Sequence, residues 1–318
     1  MYDDPRNEQL EAVIRADPSD REAYLVYADW LEARGDVRAA LIRQQCATPN
    51  ATSPLLTEHR RYLLGPLSAC ASSVFWRNGF IYSGGFSDAA GPIVTNVENL
   101  LAHPSARFLI ELAITSKYLP AVLAAIAAAA PPSLRMLSLA TEAETDLALL
   151  APVLPQLGFL SLHGPFTFTT LALPQATAVL LRIRDLPAAS VRAIASLQAP
   201  RIARLAVDLT GSAATIDDLA PLFARADLPA LTDLDLLGAR CTDDICERLL
   251  ASPLAGQLRT LSLRRGALTT RGADRLAELT GLEELDIADT PLADDDKQWL
   301  AEALGITVIG VRYDSADE

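Results

Sequence analysis

Apolar residues recur along positions 105–313 in a six-residue form, LxxLxL, set between more polar stretches. It is clearest at Leu231/Leu234/Leu236, Leu258/Leu261/Leu263 and Leu282/Leu285/Ile287. The same form is readable at Leu109/Leu112/Ile114, Leu134/Leu137/Leu139, Leu157/Leu160/Leu162, Ala178/Leu181/Ile183, Ile202/Leu205/Val207 and Ile306/Ile309/Val311. The fourth positions, 112, 137, 160, 181, 205, 234, 261, 285 and 309, advance by 25, 23, 21, 24, 29, 27, 24 and 24 residues. Each unit predicts a short strand whose fourth and sixth residues point inward, then a turn and a more polar, helix-like return. Residues 269–279 and 293–304 carry the helix signals, with Thr or Asp at the start and Gly281 or Gly305 just past the end. Neither strand nor helix buries its apolar face alone, but stacked neighbours do.

Upstream the pattern changes. Residues 7–16, 19–34 and 36–47 read as three short helices punctuated by Pro18 and Gly35, with Asp36 placed to cap the third. Their expected core face is Leu10, Val13, Ile14, Leu25, Ala28, Leu31, Leu41 and Ile42. A further helix is expected over 55–67, and residues 75–80 look like an edge strand opening the repeat array.

Nine spaced LxxLxL copies resemble the leucine-rich-repeat superfamily, and the helix-like returns are most similar to its ribonuclease-inhibitor-type branch. The family's ninth position usually holds Asn or Cys, whereas Glu142, Pro165, Ala239, Gly266 and Thr290 stand there, so the usual side-chain ladder is missing. Tyr27-Ala28-Asp29-Trp30-Leu31 and Arg34-Gly35-Asp36 are similar to the bacterial repeat-companion domain, a helical module that precedes such repeats. Together the resemblances imply an α/β fold: a right-handed solenoid of about nine repeats, with parallel β on the concave face, helices on the convex face and a small all-helical N-terminal module. The expected organisation is a helical module over 1–68, a capping strand and connector over 69–104, and the solenoid over 105–318. The helices are expected to cap the first strand, because terminal repeats need a cover. The polar tail 314–318 is expected to fray.

Composition sharpens this picture. Half the residues are hydrophobic but only 6% aromatic, and 54 are Leu, so leucine carries the core. Forty acidic against 27 basic residues give a net charge of −13, which disfavours nucleic acid as a partner. The N-terminus lacks a basic segment followed by an apolar one, and the Ala/Leu-rich stretch 119–130 is too short to span a bilayer, so a cytoplasmic protein with no membrane partner is expected. Cys46, Cys70, Cys241 and Cys246 form no CxxC pair, and with three histidines they predict buried structural thiols without disulfide, metal or cofactor.

No constellation of nucleophile, base and orienting group is written in the chain, and no catalytic residue is assigned. GxSxG, HExxH and Walker motifs are absent, and the glycines at 84 and 85 lack the lysine of a phosphate loop. Acidic runs such as Asp294-Asp295-Asp296 sit at helix starts, where carboxylates favour the helix dipole. Asp29 and Trp30 admit a docking role or a packing one, and the packing role is favoured because a small helical module needs its aromatics.

What remains is the strand face. The third, fifth and seventh residues of each unit point outward there. Phe159 and His163 fall in a mostly uncharged part, Arg182, Arg184 and Arg204 form a basic cluster, and Asp208, Asp233 and Asp235 follow. Arg264, Glu284 and Asp286 come after them. Residues 66–207 hold 7 acidic and 9 basic residues, whereas 208–318 hold 22 and 10. This banding predicts a non-enzymatic protein-recognition scaffold whose arginines receive acidic groups and whose Asp233, Asp235, Glu284 and Asp286 receive basic ones. The competing expectation is that these charges neutralise one another across neighbouring strands. An enzyme or enzyme-regulatory site near Trp76 and Arg77, and self-assembly through Met136 and Phe159, are the alternatives. Partner identity and oligomeric state stay open.

Overall fold

The computed structural model describes residues 5–48 and 53–311. The chain divides into two compact units, Met1–Ala140 with Leu149–Val153, and Thr141–Ala148 with Leu154–Glu318.

The first unit begins with α1 (Glu8–Ala16), α2 (Arg21–Glu32) and α3 (Arg38–Ala47). Asn7 caps α1 by accepting from the Leu10 amide, and Asp20 caps α2 by accepting from Glu22 and Ala23. Gly35 takes a left-handed φ of +71° between α2 and α3, which a side chain would resist. The expected core face holds for Ile14, Ala28, Leu31, Leu41 and Ile42, whereas Val13 and Leu25 are exposed. Tyr24, Tyr27 and the carboxylate Glu11 are buried there.

Where one helix was expected over 55–67, two short ones form, α4 (Pro54–Glu58) and α5 (Arg60–Leu64), followed by 3-10 turns over Gly65–Ser73. The expected edge strand over 75–80 is instead a hairpin of β1 (Val74–Arg77) and β2 (Phe80–Ser87). Asn78 and Gly79, both at positive φ, form its two-residue turn. That turn is docked on α3: the Gly79 amide donates to Gln45 Oε1 at 2.7 Å, and Ile42 lies where a Cβ at residue 79 would stand. Then follow α6 (Ile93–Ala102), β3 (Glu111–Thr115), α7 (Leu119–Ala129) and β4 (Met136–Ala140). β2, β3 and β4 pair in parallel, so β1 is the edge strand.

Four of the 18 aromatics gather at this junction. Tyr24, Tyr27, Phe80 and Phe108 form one buried cluster, with Phe80 and Phe108 edge-to-face at 4.7 Å.

The second unit contains β5 (Thr145–Asp146), β6 (Phe159–His163), β7 (Phe166–Thr167), β8 (Ala178–Arg182), α8 (Ala188–Ala195), β9 (Arg204–Asp208) and α9 (Ile216–Phe223). It continues through β10 (Asp233–Leu237), α10 (Thr242–Leu250), β11 (Thr260–Ser262), α11 (Thr270–Leu276), β12 (Glu284–Asp286), α12 (Asp294–Leu304) and β13 (Thr307–Ile309). β6, β8, β9, β10, β11, β12 and β13 pair in parallel in that order, while β5 and β7 form a separate two-stranded sheet. The inward residues Leu160, Leu162, Leu205, Val207, Leu234, Leu236, Leu261, Leu263, Leu285 and Ile287 are all buried, as the period-2 alternation requires.

Two units shift register from the sequence reading. Leu160 pairs with Val179, so the fourth unit is Ala176/Val179/Leu181 rather than Ala178/Leu181/Ile183. Leu285 pairs with Val308, so the last is Gly305/Val308/Gly310, and Ile309 faces outward. Two returns, 141–158 and 164–177, contain no α-helix. They carry Pro152, Pro155, Pro165 and Pro174, which oppose helical hydrogen bonding, and run as short strands and 3-10 turns.

The missing Asn or Cys ladder has a substitute. Buried hydroxyls cap the turn carbonyls: Ser190 Oγ donates to Phe168 O at 2.9 Å and Ser212 Oγ to Leu186 O at 2.7 Å, each reaching back one repeat. Thr242 and Thr290 donate to Ala239 O and Ile287 O within their own turns, at 2.6 and 2.8 Å. Close stacking also constrains Gly164, whose φ is +114° and where a Cβ would stand 1.9 Å from the Thr141 carbonyl oxygen. Gly164→Ala is expected to cost about 2–3 kcal/mol or more. Urea unfolding with a midpoint unchanged from wild type would contradict this. The expected frayed tail, 314–318, lies outside the described residues.

Candidate functional site

Parallel pairing in the second unit places outward residues on a grid. On β8, β9 and β10 the rows are Ala178, Arg204 and Asp233, then Leu180, Ala206 and Asp235, then Arg182, Asp208 and Leu237. Ala206 stands at the centre with a methyl group, and seven of its eight grid neighbours, all but Ala178, carry larger side chains. The result is a cleft of about 500 Å³ lined by His163, Leu180, Arg182, Arg184, Arg204, Ala206, Asp208, Asp235, Leu237, Arg264 and Arg265 among others.

The corrected register keeps Arg182 on the sheet face but puts Arg184 beyond the strand, beside Asp185 in a left-handed turn. Arg184 still lines the cleft. Arg182, Arg184 and Arg204 are exposed, and none has a carboxylate within 4.0 Å among the described residues. Arg204 is directly opposite Asp233, yet Asp233 accepts instead from the Thr232 hydroxyl at 2.6 Å. Among the described residues, no cross-strand ion pair within 4.0 Å therefore forms at these three arginines. Such pairs do form at the far side, where Arg264 approaches Asp286 at 3.5 Å and Arg265 approaches Asp289 at 3.7 Å.

The carboxylates divide by role. Asp208 accepts from the Thr210 amide and Asp286 from the Ala288 amide, so both are held by turns at strand ends. Asp235 is different: its Oδ1 is buried without a hydrogen-bond partner, and so are Ser262 Oγ and Arg264 Nε. Burial pushes the Asp235 carboxyl above the usual range and nearby Asp286 adds to this, while the Ser262 hydroxyl, Arg264 and Arg204 oppose it. A raised folded pKa favours the protonated acid. Its stabilising contribution is complete below the ordinary carboxylate value and lost as pH rises through the folded one. Asp235→Asn is thus expected to stabilise the protein at pH 7 by about 1 kcal/mol, with the gain vanishing below about pH 4. Thermal melts at both pH values check this, and a lower melting temperature for the variant at pH 7 would refute it.

Seven of the residues singled out from sequence thus meet in one cleft: His163, Arg182, Arg184, Arg204, Asp208, Asp235 and Arg264. Phe159, Asp233, Glu284 and Asp286 lie on the same strand face but do not line it. Leu180, Ala206, Leu237 and Arg265 line it without having been selected as site residues. The doublet Arg264-Arg265 before Gly266 was a readable signal for Arg265. Nothing marked Ala206, because a gap is created by what a residue lacks.

Outside the cleft, Trp30 is half-buried and Asp29 is exposed. Trp30 stacks on Tyr27 at 5.5 Å with Arg34 over its other side, and Asp29 pairs with Arg43 at 2.7 Å. Cys46, Cys70 and Cys246 are buried, and Cys241 is half-buried. Burial pushes the Cys246 thiol up, away from the reactive thiolate. Among the described residues no cluster of three His, Cys, Asp or Glu side chains could hold a metal ion, and no helix is long and apolar enough to cross a membrane.

No family model and no curated protein matches the chain. Among solved structures, a protein from Bacteroides fragilis is similar with a TM-score of 0.53 at 19% identity, covering 82% of this chain and 72% of that one. The yeast Rad7 and Elc1 complex gives a TM-score of 0.46 at 15% identity, covering 98% and 94%. An internalin from Listeria monocytogenes gives 0.36 at 17%, covering 70% and 71%. Eight strands of the parallel array repeat one buried LxxLxL-type register, the ninth keeps only Val308 of it, and compact helical or 3-10 returns join them, which is the fold of a leucine-rich-repeat array.

Proposed function

We propose that the chain is a non-enzymatic recognition scaffold that binds a protein partner on the strand face of its second unit. One observation carries this: Arg182, Arg184 and Arg204 share a cleft without a carboxylate within 4.0 Å among the described residues. Elsewhere in the same unit Arg192, Arg225, Arg259, Arg271 and Arg275 each take an acidic neighbour at 2.5–2.9 Å, while Arg201, Arg240 and Arg248 form no ion pair among the described residues but do not line that cleft. Leaving three cations unpaired beside an acidic surplus suits a surface completed by another molecule. Charge of this kind steers encounter and selects the partner more than it adds affinity. In the same reading, the helical module over 1–68 braces the first strands and the recognition surface lies in the repeats.

The test is affinity capture from extracts of the source cells with wild type and the R182E/R184E/R204E variant as baits. A stoichiometric protein retained by wild type and lost by the variant supports the reading. The same proteins on both baits would refute it.

A further inference from the structure

We propose that an Asp or Glu side chain of the partner enters the cleft over Ala206, its carboxylate held by Arg204 and Arg182. This rests on the strand face being the partner surface and goes further by naming what enters it. Strand geometry puts the Cα of Arg204 about 7 Å from Ala206 along β9, that of Asp235 about 5 Å across on β10, and that of Arg182 about 8 Å away diagonally on β8. The two guanidiniums therefore flank the gap from different sides. Both are free to present a planar fork of donors to a carboxylate, the geometry for which arginine is suited.

The far wall is already furnished: Asp235 and Ser262 occupy paired positions of β10 and β11, and the Ser262 hydroxyl lies against the Asp235 carboxyl, whose Oδ1 is buried. The donors for what enters are therefore the two arginines on the open side of the gap.

The carboxylates Asp208 and Asp235 in the cleft select against more highly charged groups. A phosphoryl dianion would bring a second negative charge beside them, whereas one carboxylate is matched by the arginines. A polynucleotide would also meet Asp233, Glu284 and Asp286 on the same face. The apolar contacts Leu180 and Leu237 suit the methylene stem of an acidic residue.

The probe is a fluorescein-labelled tetraglutamate peptide, titrated by anisotropy at low salt, with tetraglutamine and single-phosphoserine peptides as comparators. Wild type is expected to bind tetraglutamate at least tenfold more tightly than tetraglutamine. A206L, which fills the gap without changing charge, and R204Q are each expected to lose at least tenfold while keeping the wild-type melting curve. If A206L melts early, R204Q decides, and wild-type binding by it overturns the proposal. Undiminished binding by a folded A206L alongside loss in R182E/R204E would overturn insertion and leave the scaffold reading standing. Equal binding of tetraglutamate and tetraglutamine, or tenfold tighter binding of the phosphoserine peptide, would also overturn it.

Discussion

Glu11→Gln is expected to destabilise the protein by about 3 kcal/mol at pH 7, one of the largest losses available from a single isosteric change. Glu11 is fully buried in α1 and accepts from Arg6 at 2.6 and 2.8 Å, Arg107 at 3.0 Å, the Tyr27 hydroxyl at 3.1 Å and Arg15 at 3.3 Å. Arg107, itself 4% exposed in its side chain, ties this carboxylate to the segment that leads into β3. Without the negative charge, its guanidinium stays in the interior opposite a neutral group, the costly way to break a buried pair.

Burial by itself would raise the Glu11 pKa. The Arg6 hydrogen bond and the charges of Arg107 and Arg6 outweigh it, with the Tyr27 hydroxyl assisting, and hold the group at about 2. Against an ordinary value of 4.5, the difference corresponds to about 3 kcal/mol. Because the folded pKa is lowered, this stability is present above pH 4.5 and is lost as pH falls from there through 2. Urea unfolding of wild type and Glu11→Gln should therefore show a gap at pH 7 that narrows steadily as pH approaches 2. A constant gap would mean that packing, not charge, is what Glu11 supplies.

The second large effect concerns binding. R182E/R184E/R204E reverses three charges in one cleft, and partner affinity is expected to fall at least a hundredfold, or about 3 kcal/mol. The variant is expected to fold normally, since the three arginines are exposed and their guanidiniums form no ion pair within the described residues. Association of wild type with the partner should also slow as salt is raised, while that of the variant should change little. Unchanged melting with unchanged affinity would remove the arginines from the interface.

Much of the fold was legible because the strand period is strict. Leu234 and Leu236, Leu261 and Leu263, or Leu285 and Ile287 leave a single choice of inward face. Legibility failed where that choice was degenerate. Ala178-Val179-Leu180-Leu181 is apolar throughout, and Ile183 is also buried, so two registers satisfied the pattern equally. The β-branched run Ile306-Thr307-Val308-Ile309 gave the same ambiguity at the last strand. In the helical module, the burial of Glu11 has no signal in the pattern, because its arginine partners come from other turns and from residue 107, distant in sequence but adjacent in the fold.

The site was legible in part. Arginine and aspartate positions on the face followed from alternation, but whether they neutralised one another depended on side-chain geometry. Arg204 opposite Asp233 predicts a pair by register, and Thr232 takes that aspartate instead. The depression over Ala206 depends on seven of its eight grid neighbours being larger, a relation visible only once three strands are aligned.

The most direct measurement of the central claim is the equilibrium dissociation constant of the captured partner for three proteins at one salt concentration. They are wild type, R182E/R184E/R204E and a control, R248E/R275E, with the same kind of reversals placed on α10 and α11. The claim predicts a loss of at least a hundredfold for the cleft variant and less than threefold for the control. Equal losses in the two variants would show that net charge alone governs association, and would contradict a partner site in the cleft.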